Sequence, residues 1–229
     1  EAIEGAVKTI LDAGATPLVL GGDDAVPIPV MAAYRDHGPI WVVQIDAHID
    51  WRDERFGEKL GWSSPMRRAS EMGWVEGIVQ LGARGVGSAA PAEVEDARAW
   101  GARIITAREI HAKGVGDAFA TIPEGAKVFI TFDCDGLDPS VMPAVGAPTP
   151  GGLDYRQIIG IIQGAAARCE LAGVCLVWAA ILWWRGHGGG RWSELPPTAD
   201  RRGSEHGGGG RWNNSGRRFP DGSGPGGPT

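Results

Sequence analysis

The chain has 229 residues, 43% of them hydrophobic, which is enough to build the core of one sizeable α/β domain. Its formal net charge of −6 argues against nucleic acid as the main partner. The three cysteines, Cys134, Cys169 and Cys175, show neither zinc-finger spacing nor a disulfide pattern. Cysteines of this kind suit a reducing compartment, so we expect a cytoplasmic protein.

No segment of the sequence has the features of a membrane anchor. The longest apolar run, residues 171–184, is shorter than the about 20 residues that a helix needs to cross a bilayer. There is no signal peptide and no initiating Met, so we expect the N-terminus to be the end of a fragment. The sequence therefore predicts no membrane partner.

Short strands and helices alternate between residues 1 and 172. Helices are predicted where apolar residues recur at helical spacing, and strands where apolar residues form a continuous run. The predicted elements, in chain order, are helix 1–13, strand 16–20, helix 27–35, strand 40–45, helix 64–72, strand 78–81, helix 91–100, strand 103–106, strand 127–132, helix 155–168 and one further strand near Val174. This alternation is typical of a three-layer α/β/α sandwich with a mostly parallel sheet.

Acidic residues follow three of these strands. Strand 40–45 runs into Asp46-Ala47-His48-Ile49-Asp50, strand 127–132 runs into Asp133-Cys134-Asp135, and strand 16–20 runs into Gly21-Gly22-Asp23-Asp24. Alternate residues of an extended chain point the same way, and ligands of parallel sheets bind at the carboxyl ends of the strands. Four carboxylates and an imidazole at one point would repel each other unless cations lay between them. The first two motifs therefore predict a metal site with two ions.

An alternative for these acids is a purely structural role. Acids after strands are common as helix caps and turn formers, and for the Asp46–Asp50 motif alone this alternative has about equal weight. The case for a metal site is stronger at Asp133 and Asp135, since an unpaired charge at the end of an apolar strand is costly. Asp138, which precedes Pro139, is predicted to be structural rather than catalytic.

Three motifs together resemble the ureohydrolase family of arginases and agmatinases. They are Gly21-Gly22-Asp23-Asp24, Asp46-Ala47-His48-Ile49-Asp50 and Phe132-Asp133-Cys134-Asp135-Gly136-Leu137-Asp138-Pro139, the last continuing through Gly146 to Leu153. The resemblance covers about residues 15–172. It implies an arginase-like α/β/α sandwich that is incomplete here, and the hydrolysis of a guanidino group to urea and an amine. It also implies a small guanidino substrate and, for the intact parent protein, a homo-oligomer (a trimer or hexamer).

The resemblance further implies a site with two Mn²⁺ ions and six ligands. Asp46 and Asp133 would bridge the two ions. Asp24 and Asp50 would complete the coordination shell of one ion, and His48 and Asp135 would complete that of the other. Hard oxygen ligands with little nitrogen and no sulfur suit Mn²⁺. Asp50 would also be catalytic, carrying a proton from the attacking water to the leaving amine.

Several positions depart from the family pattern. Asp24 stands where the family usually has a metal-binding His, although Asp also ligates Mn²⁺. Trp62 stands where a His often assists proton transfer; beside it Ser63 and Ser64 are weak candidates for substrate contact, with helix capping as the alternative. Trp178 stands where the family has a Glu that grips the guanidinium. These departures favour an agmatinase-like branch and leave the activity of this chain open.

Residues 173–229 differ in composition from the preceding part, being rich in Gly, Arg and Trp. A disordered tail is one interpretation, but the scattered tryptophans favour translation in a wrong reading frame. The predicted partial catalytic domain is therefore 1–172. Two alternatives to an active ureohydrolase stay open: a non-catalytic fragment that retains a metal cluster, and a metal-dependent deacetylase-like hydrolase, against which the number of carboxylates counts.

Overall fold

The computed structural model describes residues 1–178, in which six strands form one sheet. The strands are β1 (Leu18–Leu20), β2 (Ile40–Ile45), β3 (Val75–Ala83), β4 (Arg103–Thr106), β5 (Lys127–Asp133) and β6 (Glu170–Val177). The helices are α1 (Ala2–Asp12), α2 (Pro27–Ala32), α3 (Pro65–Ser70), α4 (Pro91–Trp100), α5 (Ala107–Lys113) and α6 (Tyr155–Arg168). The strand order is β1-β6-β5-β2-β3-β4, and each neighbouring pair is parallel. The predicted parallel sheet is confirmed.

Helices cover both faces of this sheet, which makes three layers. One buried cluster joins the sheet to α1–α4 and includes Val30, Met66 and Ala97. The other joins the opposite face to α5 and α6 and includes Ile110 and Ile161. The central strands are buried on both sides, which explains why β2 and β5 read as continuous apolar runs rather than alternating ones.

The sequence pattern located most elements but not all of their ends. The predicted helix 27–35 divides into α2 and a 3₁₀ turn, Ala33–Asp36. Helix α5 was missed; it begins at a capping box in which the Thr106 hydroxyl accepts from the Glu109 N–H and the Glu109 carboxylate accepts from the Thr106 N–H. Strand β6 is longer than the strand expected near Val174 and continues past residue 172, with Val177 fully buried. Pairing with both β5 and β1 stabilises this extension.

Strand register brings the acidic motifs to one edge of the sheet. Ile45 of β2 pairs with Phe132 of β5, so Asp46 and Asp133 follow at the same level. Gly136 makes this approach possible, because a Cβ there would lie only 2.9 Å from the backbone nitrogen of Asp46. Any larger residue at position 136 would push the two strand ends apart.

Residues 179–229 lie outside the described part of the chain, and with them most of the predicted anomalous segment. The first half of the apolar run 171–184 belongs to strand β6, not to a helix. Among residues 1–178, no helix has the length and apolar character that crossing a membrane requires. The division of the chain at residue 172 stays a prediction.

Candidate metal centre

Five of the six predicted ligands form two overlapping groups at the carboxyl edge of the sheet. One group consists of Asp46, His48 and Asp135, and the other of Asp24, Asp46 and Asp133; within each group the potential ligand atoms lie within 4.8 Å of one another. Asp46 belongs to both groups, as expected of a bridging ligand. Asp133 belongs to only one of them, so its predicted bridging role has less support from the geometry.

The sixth predicted ligand, Asp50, is tied to the same cluster through a buried amide. The side-chain Nε2 of Gln44 donates to Asp46 Oδ2 at 2.9 Å and to Asp50 Oδ2 at 2.6 Å. Asp50 has a φ of 45°, a left-handed conformation that costs a non-glycine residue about 1–3 kcal/mol. Backbone strain of this kind, together with the shared donor, indicates that the Asp50 carboxylate is held in place by the surrounding fold.

A second buried amide orients the first. Gln80, which pairs with Gln44 across β2 and β3, donates from Nε2 to Gln44 Oε1 and to the carbonyl oxygen of Ile49, both at 2.6 Å. Gln44 and Gln80 are each 1% exposed. We did not identify either residue from the sequence, although a Gln inside an otherwise apolar strand is the signal that marks it.

The carboxylates are placed where their charged forms are costly. Burial, followed by the neighbouring Asp46 and Asp133 charges, raises the pKa of Asp24 well above its usual value. Burial and the charge of a neighbouring aspartate likewise raise the pKa values of Asp46, Asp50 and Asp133. Four acids that resist ionisation in the protein alone are a physical sign that cations belong between them.

His48 joins two of these acids. Its Nδ1 lies 3.2 Å from Asp46 Oδ1 and 3.3 Å from Asp135 Oδ2. Burial alone would lower the pKa of His48, but the hydrogen bonds to Asp135 and Asp46 outweigh it and raise that pKa to about 11. The same contacts lower the pKa of Asp135 in spite of its burial. In the protein alone, these contacts favour the protonated form of His48.

The donor set fits hard divalent cations. Asp24 Oδ2 is buried and has no hydrogen-bond partner among the described residues, an arrangement that is costly unless another group approaches it. The cluster offers carboxylate oxygens and one imidazole, and Cys134, although adjacent, is not part of either group. Oxygen-rich sites of this kind favour Mg²⁺ or Mn²⁺ over Zn²⁺.

A cavity of about 340 Å³ opens above the cluster. Ser63 lines it, whereas Ser64 is fully buried behind the wall. Ser64 occupies the N-cap position of α3, but its side chain makes no capping hydrogen bond and its hydroxyl has no partner among residues 1–178. Of the two weak candidates for substrate contact, Ser63 is the one with access to the cavity.

Two tryptophans form an aromatic wall of this cavity. The rings of Trp62 and Trp178 lie with centroids 5.9 Å apart, and both line the cavity. The backbone N–H of Trp178 donates to the carbonyl oxygen of Gly22, and this hydrogen bond attaches the end of β6 to the loop that carries Asp24. The ring of Trp178 lies against Gly146, where a Cβ would overlap the ring. Trp178 therefore occupies part of the wall where the resemblance leads us to expect a Glu.

Arg84 holds the loop after β5 against the end of β3. Its guanidinium donates to five carbonyl oxygens, those of Gly82, Asp135, Gly136, Leu137 and Thr149. Arg84 therefore positions the loop that carries Asp135.

Comparison with known proteins places the chain in a family. The sequence model that describes the arginase family matches residues 1–177 of the chain. The chain is 36% identical over 181 residues to a guanidinobutyrase of Pseudomonas aeruginosa, covering 76% of this chain and 56% of the relative. It is 36% identical over 164 residues to the mitochondrial agmatinase of Gallus gallus, covering 69% of this chain and 48% of the relative. The chain thus spans about half the length of the curated relatives it matches.

Solved structures share the fold. The formimidoylglutamase of Bacillus subtilis superposes with a TM-score of 0.69 at 28% sequence identity, covering 77% of this chain and 58% of that one. The predicted arginase-like sandwich is therefore confirmed for the described residues.

Proposed function

The chain belongs to the arginase family, and we propose that it forms the metal-binding part of an agmatinase-like amidinohydrolase that depends on two Mn²⁺ ions. The reaction would add water across a guanidino C–N bond and release urea and an amine. The observation that carries this proposal is the pair of acidic groups that share Asp46 at the floor of a cavity. Six residues would hold the ions: Asp24, Asp46, His48, Asp50, Asp133 and Asp135.

Manganese is favoured by the chemistry of the donors. All but one of the six proposed ligands are carboxylates, which are hard donors, and the exception is an imidazole. A deacetylase-like hydrolase that uses Zn²⁺ would need fewer carboxylates and is the weaker alternative. When bound, two such ions would supply a water that ionises near neutral pH.

The protein's own residues would position the reactants and move the proton. Asp50 lines the cavity, and one of its two oxygens is engaged by Gln44, so the other is the candidate to accept a proton from the attacking water. The same carboxylate would pass that proton to the departing amine nitrogen, which leaves as a neutral or protonated amine. Ser63, at the cavity wall, would contact the substrate.

A second candidate function has a specific observation in its favour. Trp178 offers no charge to a guanidinium at the position where the resemblance implies a Glu. A chain that binds two ions but does not turn over substrate is therefore the alternative. A homo-oligomeric parent protein stays a prediction.

One experiment separates these possibilities. The full chain is titrated with Mn²⁺ by calorimetry, and urea release is then measured with agmatine and 4-guanidinobutyrate. We expect two ions to bind and urea to form, and we expect Asp50→Asn to retain at least one ion while losing urea formation. Two ions without urea from any guanidino compound would establish the non-catalytic alternative, and failure to bind Mn²⁺ would refute both.

A further inference from the structure

The lining of the cavity carries positive charge outside the aspartate cluster. Two arginines, Arg52 and Arg55, line the cavity together with one acid outside the aspartate cluster, Glu93. Arg52 Nε lies 3.2 Å from Glu93 Oε1, so these two charges neutralise each other. Arg55 then remains as the excess charge of this lining.

Arg55 has no acidic partner within salt-bridge distance among residues 1–178. Of the acids close to it in sequence, Asp53 pairs with Arg68 and Lys59, Glu58 Oε1 accepts a hydrogen bond from the Leu60 N–H, and Glu54 makes no ion pair with Arg55. The N–H donors of a guanidinium without a carboxylate partner are available to a ligand.

The position of Arg55 is nevertheless well defined. Its guanidinium carbon lies 4.1 Å from the centroid of the Trp62 ring and 5.2 Å from that of Phe56. Residues 55–58 form a tight turn. Arg55 and Glu58 exchange backbone hydrogen bonds, and Phe56 and Gly57 have φ values of 55° and 81°. Stacking on an aromatic face leaves the edge of the guanidinium, where its donors lie, free for hydrogen bonding.

We infer that the cavity binds an ω-guanidino carboxylic acid, with the guanidino group at the aspartate cluster and the carboxylate at Arg55. This inference rests on the proposed function, because it takes the cluster to be the reacting end of the cavity. The aliphatic linker of such a compound would lie against the Trp62 and Trp178 rings. An ω-amino guanidine such as agmatine would instead bring an ammonium group toward Arg52 and Arg55.

The charge balance of the cavity supports the same choice. The five aspartates among the proposed ligands carry one more charge than two divalent ions, and the cationic guanidino group of a ligand would offset that charge, so Arg55 would stay uncompensated. Partial burial and repulsion by the positive charge of Arg52 both lower the pKa of Arg55. A carboxylate relieves this repulsion, and an ammonium adds to it.

The test compares three ligands with the same guanidino group and different far ends: 4-guanidinobutyrate (negative), butylguanidine (neutral) and agmatine (positive). Binding to the Mn²⁺-loaded full chain is measured by calorimetry, and urea release is measured in parallel. We expect the acid to bind most tightly and agmatine least tightly. Arg55→Met, which keeps an apolar stem over Trp62, should weaken binding of the acid by roughly 10- to 100-fold and leave butylguanidine within about twofold.

The matched control is Arg35→Met. Arg35 also stacks on a tryptophan, with its guanidinium carbon 5.1 Å from the Trp74 ring centroid, but it does not line the cavity. This variant should bind all three ligands as the unmodified chain does, and thermal melting should show that both variants are folded.

The outcomes separate this inference from the proposed function. Tighter binding of agmatine than of the acid, or equal weakening of all three ligands by Arg55→Met, would overturn the inference even if urea is formed. Absence of binding of any ligand would overturn it as well. Arg55-dependent binding of the acid without urea would support the inference and count against the proposed hydrolysis.

Discussion

The guanidinium of Arg84 donates from Nη2 to the backbone carbonyl of Asp135 at 2.6 Å. This hydrogen bond connects the residue after strand β3 with the loop that carries the proposed metal ligand Asp135. It acts on the backbone and not on the Asp135 carboxylate, which stays available to His48 and to an ion. The loop is thus held in place by a residue that does not itself line the cavity.

We expect Arg84→Lys to lower the free energy of unfolding by about 3 kcal/mol, because a hydrogen bond from a charged donor contributes about 1.5–3 kcal/mol and an ammonium cannot reach five carbonyl oxygens. Urea denaturation of the metal-free chain measures this change. Arg156→Lys, at an exposed position of α6, is the control and should stay within about 0.5 kcal/mol. A loss below about 1 kcal/mol at Arg84 would show that the loop does not depend on it.

Gln80 offers a second prediction, since it touches neither the cavity nor any proposed ligand side chain directly. Gln80→Leu removes the donor that holds Gln44, and Gln44 holds Asp46 and Asp50. We expect the affinity for Mn²⁺ to fall by about 10- to 100-fold, the usual effect of losing a residue that orients metal ligands. Calorimetric titration measures it. Gln163→Leu, the same change at an exposed site on α6, should leave the affinity unaltered.

The stability of the metal-free chain should fall as the pH rises. Burial raises the pKa values of Asp24, Asp46, Asp50 and Asp133 above the unfolded value of 3.8. The folded state then holds more protons than the unfolded state, so this stabilisation is complete below that value and is lost as the pH rises through the folded pKa values. The lowered pKa of Asp135 has the opposite sign but acts only below the unfolded value, whereas the raised pKa of His48 adds to the loss of stability.

Thermal melting from about pH 5 to pH 8, with EDTA or with Mn²⁺, tests this dependence. We expect the melting temperature with EDTA to decrease over this range, and the increase caused by Mn²⁺ to be larger at pH 8 than at pH 5. Asp24→Asn should make the metal-free curve flatter. A metal-free melting temperature that rises with pH would contradict the argument.

A further prediction concerns Trp178, which stands where the family resemblance implies a Glu. Trp178→Glu would place a carboxylate on the cavity wall, so we expect butylguanidine to bind about tenfold more tightly to the Mn²⁺-loaded chain. Trp178→Gln has nearly the same shape without the charge and should not show this gain. The Glu variant should also melt at a lower temperature than the unmodified chain, because the contacts with Trp62 and Gly146 are lost. Equal affinities of the Glu and Gln variants would exclude the electrostatic explanation.

Sequence reasoning succeeded where a pattern has one physical meaning. Continuous apolar runs such as 40–45 and 127–132 belong to strands buried on both faces, and the structure confirms both. It was less successful with α5, whose short length and half-polar composition give little periodicity, and with the end of the predicted helix 27–35. Helix ends depend on tertiary contacts that a local pattern does not contain.

The sequence by itself determined the sheet architecture and the acidic motifs, because strand burial and alternating side-chain direction are local properties of the chain. Only the tertiary structure decided which acids share a neighbour, since the distance between Asp46 and Asp133 depends on the pairing of β2 with β5 and on the room left by Gly136. It likewise decided the roles of Gln44, Gln80 and Arg84, whose partners are distant in sequence. Contacts of this kind are a property of the folded packing, and no spacing within the chain encodes them.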